Sequence, residues 1–301
     1  MVLLKVFLVL CFVAYGTSLN EPSDVDAKSR HGIQVMARGS GMLSSGGSAY
    51  LDLYIYYNTQ LKKHFRHRPS ALKYLKEFLK EVNEILKTAT PILTVKFRLV
   101  GASLWNENYR ALTKDRKALD SELLTAVLKV FGKRLEIRWH KKHKKNIDAV
   151  LLITTTHIRN VSMSEFEYIT ANSDTTSKQN HILTGVVGRI GGICLKEHFV
   201  AAVTDDGKFR GVISAARQLS FLMGAVDDGQ GPPGREFVRG SDGAEWCKYD
   251  EGYLMGRPNG RNSKTLSKCT SSSLIMGIRQ HGEGCYNSTQ PRELSDNEIL
   301  E

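Results

Sequence analysis

The sequence predicts an α/β chain built on a mixed sheet, and three observations carry that prediction. Short apolar segments of strand character alternate with segments whose apolar residues recur at three and four positions. Apolar residues make up 41% and charged residues 24% of the 301, enough to bury a core and too apolar for a disordered chain. After the first twenty residues no apolar run reaches membrane-spanning length, and no repeat recurs.

The elements follow in order. Met1 to Lys5 is a short basic start, Val6 to Ala14 an apolar run, and Gly16, Thr17 and Ser18 are small, so residues 1–18 read as a secretory signal peptide. Residues 19–48 are polar and end in a Gly/Ser-rich stretch expected to be a flexible arm, which leaves 49–290 as the folded domain and 291–301 as a polar C-terminal tail. Tyr50 to Tyr57 reads as a buried strand. Arg68-Pro69-Ser70 opens a helix with Ser70 as candidate cap, and Leu72, Leu75, Phe78, Leu79, Val82, Ile85 and Leu86 form one apolar stripe along it. Val95, Phe97 and Leu99 alternate with Lys96 and Arg98, as in a strand with one wet face. Ser121 to Phe131 fits a second helix with Leu123, Leu124, Val127, Leu128 and Phe131 facing one way and Gly132 ending it. Ala149 to Thr154 suits a central strand, Val186 to Gly192 an edge strand, Phe199 to Thr204 another strand, and Gly211 to Met223 a third helix broken at Gly224.

Of five cysteines, Cys11 lies in the signal segment, leaving Cys194, Cys247, Cys269 and Cys285 for two disulfides in an oxidising compartment, with three pairings open. No Cys-x-x-Cys spacing supports a zinc cluster. Asn160 and Asn287 begin glycosylation sequons. A formal charge of +11 points to an anionic partner. Its densest clusters are Lys133 to Lys145, including Lys141, Lys142, Lys144 and Lys145 around Trp139, and Lys62, Lys63, Arg66 and Arg68. For an exported chain with no membrane span, that partner is a heparan-type glycosaminoglycan and not nucleic acid. The pairs His64/His67 and His140/His143 lie inside these basic runs, which repel a metal cation.

Residues 211–229 read Gly-Val-Ile-Ser-Ala-Ala-Arg-Gln-Leu-Ser-Phe-Leu-Met-Gly-Ala-Val-Asp-Asp-Gly, with Cys194 and a strand before and Gly252-Tyr253-Leu254-Met255 after. Across roughly Tyr50 to Cys285 the combination resembles the secreted metzincin metalloproteases of the adamalysin or reprolysin (ADAM) type, arthropod venom and salivary forms among them. The resemblance implies a five-stranded twisted mixed sheet, long helices, an upper subdomain of about 49–224 and a small lower one of about 225–290. It also implies a Met-turn at Met255, a chain turn at Gly224, and the disulfides Cys194–Cys285 and Cys247–Cys269. In that family the helix carries two zinc-binding histidines one turn apart, a glutamate base, a glycine turn and a third histidine.

Here the ligand positions hold Arg217, Phe221 and Asp227, and the base position holds Gln218. A guanidinium has no lone pair to give zinc, a phenyl ring has no ligand atom, and an amide takes no proton near neutrality. The chain therefore reads as a secreted pseudoprotease with no enzymatic activity and no cofactor, the zinc being lost. Such a chain would bind an extracellular protein through the former substrate cleft, along Val186 to Ile193, or a glycosaminoglycan. The alternative is a zinc-dependent metalloendopeptidase with an altered active site. If the fold is kept, Arg217 stands where the metal's charge was, pairs with Asp227, and Phe221 fills the remaining space.

Overall fold

In the computed structural model, residues 43–65, 67–106, 108–113, 116–160 and 182–300 are described; residues 1–18, read as a signal peptide, most of the segment read as an arm, and Arg66 lie outside them. The strands are β1 (Gly47–Asn58), β2 (Leu93–Trp105), β3 (Leu119–Asp120), β4 (Ala149–Thr154), β5 (Ile158–Arg159), β6 (Ile182–Leu183), β7 (Gly185–Val187) and β8 (Val200–Thr204). Five of them form the main sheet in the order β2-β1-β4-β8-β7, with β7 antiparallel on its edge and the others parallel. This is the mixed five-stranded sheet that the resemblance implies. β4 is buried along its whole length, as an unbroken apolar run in the middle of a parallel sheet must be. β3, β5 and β6 make a separate small sheet.

Side-chain alternation divides the interior in two. In β1, Leu51, Leu53, Ile55 and Tyr57 enter one core, while Tyr54 and Tyr56 enter the other. β2 follows the same rule until a bulge: Leu53 pairs with Leu99 but Tyr54 pairs with Gly101, so Val100 is an extra residue. Past it the parity reverses, and Trp105 joins Tyr56 on the face opposite Leu99.

The helices are α1 (Thr59–Lys63), α2 (Arg68–Leu86), α3 (Ser121–His143), α4 (Val212–Leu222), α5 (Lys268–Arg279) and α6 (Asp296–Leu300). α2 buries the predicted stripe, but its cap position is His67 and not Ser70, because Pro69 fits the first turn, where no N–H is needed. The Tyr74 hydroxyl on α2 donates to the Asp205 carboxylate, whose Oδ1 accepts Gly211 N–H at 2.7 Å. Together with burial, that bond pushes the Tyr74 phenol upward, and it fixes where α4 begins.

α3 departs from the sequence reading. It continues eleven residues beyond Gly132, which lies against the sheet: a Cβ there would come within 2.8 Å of Val200 and 2.9 Å of Phe199. The glycine permits close packing in place of ending the helix. Leu123, expected inside, is 49% exposed. Asp120 caps the helix by accepting the N–H groups of Glu122 and Leu123, both at 2.9 Å.

Past Gly224 the chain is mostly irregular and is tied by disulfides. Cys194 joins Cys285 and Cys247 joins Cys269, at separations of 91 and 22 residues. On loop-entropy grounds these contribute roughly 4.5 and 3.4 kcal/mol respectively. The two ends of the described chain are packed as well. Leu43, inside the segment read as an arm, is buried, and its N–H donates to the Tyr286 hydroxyl at 3.0 Å. Tyr50 and Asn287 exchange backbone hydrogen bonds at 2.9 Å, and Ile299 of α6 is buried, so the C-terminal segment is not a bare polar tail.

Candidate functional site

α4 carries an apolar stripe of Val212, Ala215, Ala216, Leu219 and Leu222 into the core beside α2 and β8, which leaves Arg217 and Phe221 on the side toward the lower part of the chain. After Met223 the chain reverses through Gly224, whose φ of 102° suits a residue without a Cβ, and its Cα approaches Gly277 of α5 closely. That reversal brings Asp227 back to Arg217. Met255 is fully buried beneath, and its carbonyl accepts Asp228 N–H at 3.0 Å, so the turn containing it is held against the returning segment.

Arg217 is the hub. Nη2 donates to Asp227 Oδ1 at 2.6 Å, while Nη1 donates to the carbonyls of Leu254 at 2.8 Å and Gly256 at 3.0 Å. Its guanidinium lies 5.7 Å from the Phe221 ring centroid, within cation–π reach. Burial pushes the Asp227 carboxyl above its ordinary value, and the nearby guanidinium pulls it back only in part. Asp228 is also raised by burial, against hydrogen bonding to Ser267, whose hydroxyl donates at 2.7 Å. Ser267 caps α5, so Asp228 anchors the start of that helix, where a carboxylate is favoured by the helix dipole.

Gln218 is buried directly under β7, since a Cβ on Gly185 would come within 2.8 Å of its Cγ. The predicted edge strand is shorter than Val186 to Gly192: β7 ends at Val187, because Gly191 N–H turns to the Phe221 carbonyl and Ile193 N–H to that of Leu222. Thr184 and Gly188 bond to β8 through Thr204 N–H and the Val200 carbonyl. By antiparallel alternation, Gly185 and Val187 then direct their N–H and C=O groups to the edge of the sheet, where no described strand pairs with them.

The structure thus brings Arg217, Gln218, Phe221, Gly224, Asp227 and Met255 into one place. The other predicted positions lie apart. Asn160, Lys62, Lys63, Arg68, Lys141, Lys142, Lys144 and Lys145 are exposed, and Asn287 is half-buried in its backbone pairing with Tyr50. His140 bonds Asn146 at 3.0 Å and His143 stacks on Trp139 at 4.0 Å, so this pair does not converge on a point. The sequence reading missed the Leu254 and Gly256 carbonyls, which are backbone atoms with no sequence signature, and the buried Arg98–Asp52 ion pair at 2.8 Å.

The donor set tests whether a zinc ion fits at positions 217, 221 and 227, and it does not. One position holds a cation, one a hydrocarbon ring, and the single carboxylate is committed to the guanidinium.

No family model matches the chain. Over 246 residues it is 25% identical to the venom metalloproteinase antarease-like TfasMP_A of Tityus fasciolatus, spanning 78% of this chain and 94% of that protein. A 72-residue stretch is 39% identical to "A disintegrin and metalloproteinase with thrombospondin motifs like" of Bombyx mori, covering 22% of this chain and only 10% of that protein. Among solved structures it is similar to archaemetzincin from Methanopyrus kandleri, with a TM-score of 0.40 and 15% identity over 76% of this chain and 96% of that one. These findings correct the sequence reading on two points. Sequence relatives carrying the name metalloproteinase point to an enzyme, and to the zinc of the family the motif resembles, against the expectation of an inactive chain without a cofactor.

Proposed function

We propose that this chain, a metalloproteinase-family protein related to the arthropod venom metalloproteinases, is an extracellular protein of endopeptidase type with an altered centre, and that it takes extended polypeptide along β7. The observation that carries the reading is the edge of β7 above Gln218, which no described strand covers, beside Arg217 of α4 and its partner Asp227 in the returning segment. An extended peptide adds a strand to such an edge through its own backbone groups. Gly185 lets β7 lie close over Gln218, having no side chain between the strand and the helix.

The relatives' names support metal-dependent hydrolysis of peptide bonds as the class of reaction. The alteration sits at positions 217, 221 and 227, and no step is assigned to a metal there. Two disulfides and the venom source of the relatives support an extracellular location.

The test incubates protein secreted from eukaryotic cells with a random peptide library, with added zinc and separately with a chelator, and reads retained and shortened peptides by mass spectrometry. Saturable retention of extended sequences is expected. Val187→Pro, which removes an edge N–H without touching the β8 ladder, should weaken it about tenfold. Zinc-dependent shortening supports the reaction class, whereas retention of intact peptides only would overturn that class and keep the recognition site. A library neither retained nor shortened overturns both.

A further inference from the structure

On the face of the sheet away from α4, the bulge in β2 and the last turns of α3 enclose a second cleft. Its volume is about 450 Å³, within the range of small-molecule sites, and it is lined by Tyr54, Tyr56, Trp105, Phe131, Trp139 and Arg138, with further polar groups at its rim. The five rings form a continuous wall. Trp139 meets Tyr54 edge-on at 5.9 Å, Tyr54 meets Tyr56 at 5.2 Å, Tyr56 meets Trp105 at 5.3 Å, and Trp105 meets Phe131 at 5.0 Å.

Gly101 is part of the device. A Cβ there would come within 2.3 Å of the Tyr54 ring and 3.3 Å of Trp139, so only glycine lets those two rings meet across the strand.

Two features of the cleft ask for an anion with a flat body. Trp105 is 2% exposed, and its indole N–H is a buried donor with no acceptor among the described residues. A buried unpaired donor is costly unless something supplies an acceptor. At the mouth stand the Arg138 guanidinium, with Lys142 and His143 on the next turn of the same helix, while none of the described residues lining the cleft is a carboxylate. The Tyr56 phenol stays protonated, pushed up to about 12 by burial, and its hydroxyl pairs with Ser103.

We propose that this cleft binds a small organic anion with an aromatic body, a ring carboxylate or sulfonate. The ring would lie against the aromatic wall, and the anionic oxygens would meet Arg138 and the Trp105 N–H. The site is independent of the polypeptide edge at β7.

The probe is 1-naphthoate, titrated into the full secreted protein and followed by calorimetry and tryptophan fluorescence. One equivalent is expected to bind with a dissociation constant on the order of 100 µM. Arg138→Gln, an exposed change that leaves the core intact, should weaken binding about tenfold, as should Trp105→Phe, which keeps a ring and removes the N–H. The neutral analogue 1-naphthalenemethanol should bind about tenfold more weakly, and Lys62→Gln, in the other basic cluster, should change nothing. No saturable binding at 1 mM naphthoate, on the order of tenfold above the expected constant, overturns the proposal. So does binding unaltered in both Arg138→Gln and Trp105→Phe. A heparin oligosaccharide that displaces naphthoate and loses affinity in the same two variants would make the site a glycan site, which also overturns it.

Discussion

Arg217 serves three acceptors with one planar group, and it holds together a helix, the irregular returning segment and the Met255 turn. Replacing it with alanine should cost about 2 kcal/mol, less than a fully buried pair would lose because Asp227 keeps partial contact with water. For a domain of this size that is a fall of about 4–8 °C in melting temperature. Arg217→Lys should recover less than half, since an ammonium cannot reproduce the fork. Equal melting temperatures for all three proteins would show that the hub has no structural weight. The positions themselves were legible, because spacing from Gly224 marks 217, 221 and 227 whatever residues occupy them. Activity was not legible, since three side chains say what a site lacks and nothing about what the rest of the chain supplies.

Between elements, the end of α4 and the middle of α5 meet closely. A Cβ on Gly277 would sit 1.9 Å from the Met223 carbonyl oxygen and 2.8 Å from Gly224 Cα. Gly277→Ala should therefore push the two helices apart at a cost of about 3 kcal/mol or more, read as lost secretion or a denaturation midpoint shifted to lower urea. Normal secretion with an unchanged midpoint would mean that the crossing yields easily. Element identity was legible where periodicity is a local property: Ala149–Thr154 has the predicted bounds, and α2 buries the predicted stripe. It failed where the answer lies in a partner. Gly132 reads as a stop until the sheet beneath it is known. Leu123 shares an apolar pattern with Leu124, yet one is exposed and the other buried, because the pattern does not say where the sheet lies.

At the scale of the molecule, two histidines set the response to acid. Burial pushes His198 down, aided by the charges of Lys129 and Arg189 and opposed by Glu197. Burial also pushes His281 down, against a bond to the Gly191 carbonyl and with Arg189 adding repulsion. Both bind protons more weakly folded than unfolded, so their stabilising effect is complete above about pH 6.5 and fades as pH falls through the folded values. Asp227 and Asp228 are raised and act in the opposite sense at lower pH, where folding favours their protonation. Melting curves at pH 7.5, 6.5 and 5.5 should show a decline that shrinks in the His198→Gln, His281→Gln double variant. A flat or rising curve for the unaltered protein would contradict the assignment.

The bulge at Val100 also bears on how the chain tolerates insertions and deletions. A strand is read two residues at a time, so a single added residue acts on everything downstream as a change of reading frame, carrying Ser103 and Trp105 to the α3 side and Ala102 and Leu104 to the α2 side. Losing that one codon would leave the composition of β2 almost untouched while exchanging the faces of its final third, closing the aromatic cleft without altering any residue that lines it.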